Sequence, residues 1–210
     1  DADQASQPID PELATQVELG LKSQWLQDRV RFNAVLFSID YQDLQVFQTE
    51  ESTSVIANAA EATSQGVELE LVAKPMQGLR INAMLGWLDA TFDKFDTEDP
   101  VQPELGLQDL SGKHLSRAPE WKFNLGTQYR WSLANASKLF VRIDYSWVDE
   151  QYYRPYNLER DKQSTYHLTN ARLAWRSAGD HWGADLWIKN IENDDVVNNI
   201  QVSGSTSGNS

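Results

Sequence analysis

Gly66-Val67-Glu68-Leu69-Glu70-Leu71 sets the reading of the whole chain. Apolar and acidic residues alternate one for one, and only a β-strand sends successive side chains to opposite faces. The same period recurs throughout. Val17, Leu19 and Leu21 alternate with Glu18, Gly20 and Lys22, and Leu79, Ile81, Ala83, Leu85 and Trp87 alternate with Arg80, Asn82, Met84 and Gly86. Trp121, Phe123, Leu125, Thr127, Tyr129 and Trp131 alternate with Lys122, Asn124, Gly126, Gln128 and Arg130. Leu139, Val141, Ile143, Tyr145 and Trp147 oppose Arg142, Asp144 and Ser146, and Ala184, Leu186 and Ile188 oppose Asp185 and Lys189. Helical spacing fits none of these segments, so the chain is all-β and each strand has one apolar and one polar face.

This pattern predicts eight strands, near 13–23, 29–47, 55–73, 79–95, 119–131, 138–151, 165–177 and 181–192. The connections near 24–28, 74–78, 132–137 and 178–181 are short. Those near 48–54, 96–118 and 152–164 are longer. Alternating short and long connections suit an antiparallel up-and-down transmembrane barrel, with tight turns at one end and loops at the other. The 210 residues include 8 Trp, 7 Tyr and 7 Phe, yet mean hydropathy is −0.55, as expected when apolar residues occupy one face only. Trp87, Phe92, Trp121, Trp131, Trp147, Trp175 and Trp182 stand near predicted strand ends, where interfacial aromatic belts form. Alternation alone leaves open which face meets lipid. A lipocalin-like soluble barrel turns the same apolar face inward.

Composition closes several function classes. The net charge of −13 offers no basic stripe for nucleic acid. No run of 18 apolar residues marks a membrane helix, and the absence of Cys removes disulfide and thiolate-metal sites. His114, His167 and His181 have no metal-ligand spacing, and there is neither a Gly-x-Ser-x-Gly elbow nor a phosphate-cradling glycine loop. Neither metal, cofactor nor catalysis is therefore expected. Asn135-Ala136-Ser137 matches a glycosylation sequon but falls in a predicted tight turn. The acidic group Asp93, Asp96, Glu98, Asp99, Glu104 and Asp109 reads as a solvated loop. Asp1 is not a start residue, and the Gly/Ser/Asn-rich end, Ser203 to Ser210, reads as a tail.

Several segments, taken in order, resemble the barrel of TonB-dependent outer-membrane receptors: Pro11-Glu12 with Val17-Glu18-Leu19-Gly20-Leu21-Lys22-Ser23; Phe37-Ser38-Ile39-Asp40-Tyr41 with Leu44-Gln45-Val46; Asn58-Ala59-Ala60-Glu61-Ala62-Thr63-Ser64-Gln65-Gly66-Val67-Glu68-Leu69-Glu70-Leu71; Gly86-Trp87-Leu88-Asp89-Ala90-Thr91-Phe92; Ser116-Arg117-Ala118-Pro119; Asn170-Ala171-Arg172-Leu173; and Lys189-Asn190-Ile191-Glu192-Asn193. The third is the strongest match. The family's plug domain, TonB box and final strand are not found in this sequence. The resemblance implies about eight strands from the later part of a 22-strand barrel over residues 1–195, with 196–210 a polar tail. By itself such a piece is an open curved sheet with two exposed edges and poor solubility.

What the resemblance implies for function is energised uptake across the outer membrane of a Gram-negative bacterium, of a scarce nutrient and foremost a ferric siderophore. The implied partners are membrane lipid and lipopolysaccharide, the receptor's own plug, TonB acting through that plug, and the ligand. Glu68, Glu70, Arg80, Asn82, Lys122, Asn124, Arg142, Asp144, Asp185 and Lys189 would face the lumen. Glu68 and Glu70 as an acid–base pair lack a perturbing partner. Tyr152, Tyr153, Arg154, Tyr156 and Arg160 are the candidate ligand contacts, because rings and guanidinium groups suit an anionic aromatic chelate. The alternative is a small closed eight-strand barrel, membrane-embedded or lipocalin-like, acting as a binding module. An outer-membrane enzyme would need a nucleophile with its base, and no such pair is present.

Overall fold

A computed structural model describes residues 9–50 and 53–200, with the side chains of residues 47–50 and 53–55 outside the description. The predicted tail from Ser203 lies outside it too. Among the described residues eleven strands form: β1 (Leu13–Trp25), β2 (Val30–Glu50), β3 (Thr53–Ala73), β4 (Leu79–Glu98), β5 (Leu107–Asp109), β6 (Trp121–Ser132), β7 (Lys138–Val148), β8 (Gln151–Tyr152), β9 (Lys162–Gln163), β10 (Tyr166–Arg176) and β11 (Gly183–Ile188). The eight long ones pair antiparallel in the order β1-β2-β3-β4-β6-β7-β10-β11, with β5 added against β4. β1 and β11 lie at opposite ends of this path and do not pair. The sheet is open, and the closed eight-strand alternative is thereby corrected. Among the described residues no helix is long and apolar enough to cross a membrane.

Several boundaries differ from the sequence reading. β2 and β3 run on to Glu50 and Thr53, so their connection shrinks to residues 51 and 52 rather than a long loop. β4 likewise reaches Glu98. The last strand stops at Ile188, because Asn190 and Asn193 take left-handed φ values of 50° and 61° that end pairing. Lys189 therefore follows β11 rather than lying within it.

Register assigns every long-strand side chain to one of two faces. One, the tryptophan face, carries Leu19 and Leu21, Ala34 and Leu36, Val67, Leu69 and Leu71, Leu85 and Trp87, Phe123 and Trp121, and Ile143, Tyr145 and Trp147 as cross-strand neighbours. Two aromatic rows bound it. Trp87 packs at 6.4 Å from Trp121, with Tyr145 and His167 at 6.1 Å farther along. At the other end Tyr129 and Trp131 lie 4.4 Å apart, and Trp175 pairs with Leu139 beside them. From Trp131 to Trp121, with strands tilted about 45°, the band is about 24 Å tall, the height of the apolar belt of a transmembrane barrel.

Beyond the Trp87 row the faces exchange character. The tryptophan face turns polar at Asp40, Thr63, Gln65, Asp89 and Asp93; Thr63 Oγ1 donates to Asp93 at 2.7 Å and Gln65 Nε2 to Asp89 at 3.1 Å. The reverse face, polar lower down, turns apolar at Ile39, Tyr41, Ala62, Ala90 and Phe92. The core sits here, made of Ala60, Ala62, Phe92, Phe95, Leu110 and Tyr156, with Tyr41, Leu44, Val46, Leu115 and Leu158 packed around it. Phe92, expected in the aromatic belt, is 5% exposed within this core because its register pairs it with Ala62 on the reverse face.

Gly66 sits where the exchange begins. A Cβ there would lie 2.4 Å from the Trp87 carbonyl oxygen and 2.8 Å from the Phe37 ring. Backbone cannot yield cheaply, so Gly66→Ala should destabilise the folded sheet by about 1–3 kcal/mol. Gly86→Ala, with nothing within 4 Å of its Cβ, should be neutral or stabilising by about 0.5–1 kcal/mol. Denaturant midpoints of the two variants check the contrast; equal losses would remove the close-approach argument.

Candidate functional site

The four short turns gather at one end of the sheet and the long connections at the other, and the long ones fold together. Residues 99–118 cross the reverse face after β4. Leu110 N donates to Phe95 O at 2.7 Å, Gly112 N to Phe92 O at 2.8 Å, and Leu115 N to Ala90 O at 2.9 Å. The segment therefore lies back along its own strand, burying Leu110 to 2% exposure over the apolar patch. Residues 149–165 lie across it. Asn157 joins the two reciprocally: its Oδ1 accepts from His114 N at 2.6 Å and its Nδ2 donates to His114 O at 3.0 Å. Arg117 N donates to Tyr152 O at 2.7 Å. A third segment closes on both, with Val197 N donating to Gln163 Oε1 at 2.8 Å and the Tyr153 hydroxyl donating to Val197 O.

An ion-pair knot fastens this cap. Asp99, 1% exposed, is held by the guanidinium groups of Arg154 and of Arg160, the latter at 2.9 Å. Arg154 also reaches Asp161 at 3.5 Å and lies 4.6 Å over the Tyr156 ring. Tyr156, 7% exposed, donates its hydroxyl to Glu98 O at 2.7 Å. Asp99 was expected in a solvated acidic loop; two arginines reaching it from across the fold put it in the interior instead. Asp161 is fully buried and its Oδ2 has no hydrogen-bond partner among the described residues, a cost to the closed cap of about 1–3 kcal/mol.

Burial, and then the Asp99 carboxylate, raise the Tyr156 hydroxyl above its ordinary value. A phenol whose folded value is raised stabilises the cap fully below the ordinary tyrosine range and loses that contribution as pH climbs through the raised value. Alkaline titration by tyrosinate absorbance should therefore show Tyr156 ionising late, with faster exchange in residues 99–118 as it does so. Phenylalanine at 156 should shrink the late step by one phenol.

The candidate ligand residues are thus brought together, on one loop of the cap, but largely turned to partners within the fold. Arg154, Arg160 and Tyr156 hold Asp99, Asp161 and Glu98. Tyr153 has the Arg117 guanidinium 5.5 Å from its ring centre, and Tyr152 lies in the β8–β9 hairpin against Lys162. Arg117 was quoted in the sequence only as a strand start. Its role in this aromatic pair depends on folding across 36 residues and has no local signal.

The ten residues read as lumen-facing fall mainly on the reverse face below the cap. Glu68 and Glu70 of β3, Arg80 and Asn82 of β4, Lys122 and Asn124 of β6, Arg142 and Asp144 of β7, and Asp185 of β11 share it by register, and Lys189 follows β11. Glu70 accepts from Asn33 at 2.8 Å and pairs with Arg31 at 3.7 Å. Asn124 accepts from Ser146 at 2.6 Å. Arg142 Nε donates to Asp144 at 2.7 Å, and Asp185 accepts from Arg172 Nε at 2.8 Å and pairs with Arg176 at 2.9 Å. These pairs form a hydrogen-bonded polar wall. Among the described residues no group of three His, Cys, Asp or Glu side chains is placed to hold a metal ion.

An open antiparallel sheet with an apolar belt between aromatic rows, tight turns at one end and interlocked loops at the other, defines a segment of a large membrane barrel. The family model for the β-barrel of TonB-dependent receptor-like proteins matches residues 2–191, and the chain belongs to that family. A ferric-pyoverdine 358 receptor of Pseudomonas putida is 26% identical over 158 residues, covering 72% of this chain and 19% of the relative. The ferric yersiniabactin uptake receptor of Yersinia pestis superposes with a TM-score of 0.72 at 18% identity, over 90% of this chain and 26% of its own. The siderophore receptor PiuA from Acinetobacter baumannii gives 0.62 at 20% identity, over 86% and 28%. The chain thus spans about a fifth of that curated relative and about a quarter of those solved barrels.

Proposed function

We propose that this chain is the later part of a receptor barrel in the outer membrane of a Gram-negative bacterium, and that the whole receptor takes up a ferric siderophore. The single observation carrying this reading is the tryptophan-bounded apolar belt on one face of an unclosed sheet. Such a sheet needs lipid on one side and further strands at β1 and β11. The likeness to a ferric-pyoverdine receptor and a ferric yersiniabactin uptake receptor supports iron chelates as the ligand class. The work of such a receptor is binding and gating, without covalent catalysis.

In this reading lipid and lipopolysaccharide cover the tryptophan face. The wall of Glu68, Glu70, Asn82, Lys122, Asn124, Arg142, Asp144, Asp185 and Lys189, with Arg80, faces the receptor's own plug domain, through which TonB would deliver energy. The loop cap forms part of the ligand entrance, with Tyr152 and Tyr153 nearest to an incoming chelate and Arg154, Tyr156 and Arg160 holding the loop that presents them. Residues 1–195 are the barrel portion and 196–210 a polar extension.

The test is growth under iron limitation of a strain lacking the full-length gene, supplied with ferric pyoverdine, ferric yersiniabactin or a ferric catecholate in turn, together with binding of each to the purified full-length protein. Growth on at least one chelate should require the gene, and that chelate should bind. Growth indifferent to the gene, with no chelate bound, would remove the reading.

A further inference from the structure

β10 is paired with β7 along its whole length, but with β11 only from Ala171 to Arg176. Above Ala171 its second edge meets no strand among the described residues, because β11 ends at Ile188. Residues 189–199 run up this edge instead, and side chains take the place of a ladder. Ile191 N donates to Thr169 O at 3.0 Å, and Asn190 N to Asn170 Oδ1 at 3.0 Å. Glu192 accepts from Thr169 N at 2.7 Å and from the Thr169 hydroxyl. Asp194 accepts from His167 N at 3.1 Å. Asn190 and Asp194 bond reciprocally: Asn190 Nδ2 donates to Asp194 O at 2.9 Å, and Asp194 N to Asn190 Oδ1 at 3.0 Å.

The far end of this strap reaches the loop cap. Val197 is bonded to Gln163 and to the Tyr153 hydroxyl, and Arg117 Nη2 donates to Asn199 Oδ1 at 3.3 Å. Its hold on β10 therefore sets how firmly the third side of the cap is closed. Two of its anchors are carboxylates, and among the described residues neither Glu192 nor Asp194 has a Lys or Arg partner. The ring within reach is His167: its Nδ1 lies 3.4 Å from Asp194 Oδ2, and Glu192 feels the same imidazole. From β7 His167 meets the Tyr145 ring, 6.1 Å between centres, and Trp147 across the ladder. On the 149–165 connection the nearest charge is a further carboxylate, Asp149, which accepts from Thr165 at 3.0 Å. The Thr169 hydroxyl, and to a lesser extent its amide, hold Glu192 below the usual carboxylate range, so Glu192 stays charged while an imidazole titrates.

We propose that His167 is a pH-sensitive latch, whose protonation draws Asp194 and Glu192 onto the free edge of β10 and tightens the strap against the loop cap. With the imidazole neutral, the strap keeps its amide-to-carboxylate bonds but carries the unbalanced charge of Glu192, Asp194 and Asp195. With it protonated, one cation faces two carboxylates, and charge-assisted bonds are stronger than neutral ones. The closed strap is thus favoured on the acid side of the imidazole range and loses that contribution as pH rises through it. Below about pH 4 the carboxylates protonate in turn and the latch lets go. The His167 and Asp194 side chains are 46% and 33% exposed, so water screens the pair and the effect is graded rather than all-or-none.

The experiment measures hydrogen exchange in the full-length protein in detergent micelles at about pH 5.5 and about pH 8, either side of the imidazole range. Each rate is divided by the intrinsic rate at the same pH. Residues 190–199 should be about two- to fivefold better protected at the acid value, while β6 and β7 stay unchanged. His167→Gln cannot carry the charge and should flatten the contrast. Asp194→Asn keeps an acceptor for His167 N and should shrink it. Protection of β6 and β7 in the same runs reports whether either variant folds. On the unaltered protein, a third measurement at about pH 3.5 should show the strap loosening again, which keeps the test independent of the variants. Equal protection at the two higher pH values, better protection at the alkaline one, or a contrast undiminished in His167→Gln would overturn the proposal. The latch acts without ligand. Chelate uptake with no pH contrast counts against the latch alone, and a pH contrast with no chelate bound counts against the uptake reading alone.

Discussion

Replacing Asp99 by alanine is expected to open the loop cap while leaving the belt intact. The carboxylate is buried, and it neutralises the nearly buried Arg154 as well as the outer guanidinium of Arg160. Deleting one member of a buried pair leaves its partner short of counter-charge, here with Asp161 at 3.5 Å still beside Arg154, at a cost of up to about 3–5 kcal/mol. Because Arg160 is more exposed and solvent-screened, most of that loss falls on Arg154. Hydrogen exchange should accelerate across residues 96–118 and 149–163 and stay slow in β6, β7 and β10. Asp99→Asn, which keeps an acceptor oxygen, should cost less. Uniform acceleration throughout the sheet would show that the knot does not act locally.

Phe95→Ala is the second large effect, through dispersion rather than charge. Phe95 is 1% exposed, lies 4.9 Å from the Phe92 ring, and accepts Leu110 N at its carbonyl. Truncation leaves a cavity beneath the folded-back loop and should cost about 3–5 kcal/mol. The backbone bond to Leu110 survives, so limited proteolysis between residues 99 and 112 should rise steeply while the sheet keeps its circular-dichroism signal. Resistance equal to the parent would mean that the loop is held by hydrogen bonds alone.

The sheet was legible because period-two alternation is local: Leu69, Glu70 and Leu71 declare their faces without reference to any other strand. The resemblance then implied which face would meet lipid, a choice that alternation left open. The upper halves of β2 to β4 were harder. There the apolar residues Ile39, Ala62, Ala90 and Phe92 change parity relative to Leu36, Val67 and Trp87, and a reading tuned to one apolar face takes Phe92 for a belt residue. That parity change was the available signal. The cap was not legible, because its knot joins Asp99 to Arg154 across 55 residues. Acidic residues dense enough to read as a solvated loop concealed Phe95, Leu110 and Leu115 as its core.

The aromatic rows have an optical consequence. All eight tryptophans lie in strands or, like Trp182, immediately before one: Trp25, Trp87, Trp121, Trp131, Trp147, Trp175, Trp182 and Trp187. Residues 99–118 and 149–165 contain none, whereas Tyr152, Tyr153 and Tyr156 belong to the second of these stretches. Indole emission therefore reports melting of the strands and is blind to these two entrance loops, whereas phenol absorbance mixes the loop tyrosines with Tyr41, Tyr129, Tyr145 and Tyr166 of the strands. Loss of the indole signal is thus a label-free marker of the sheet alone.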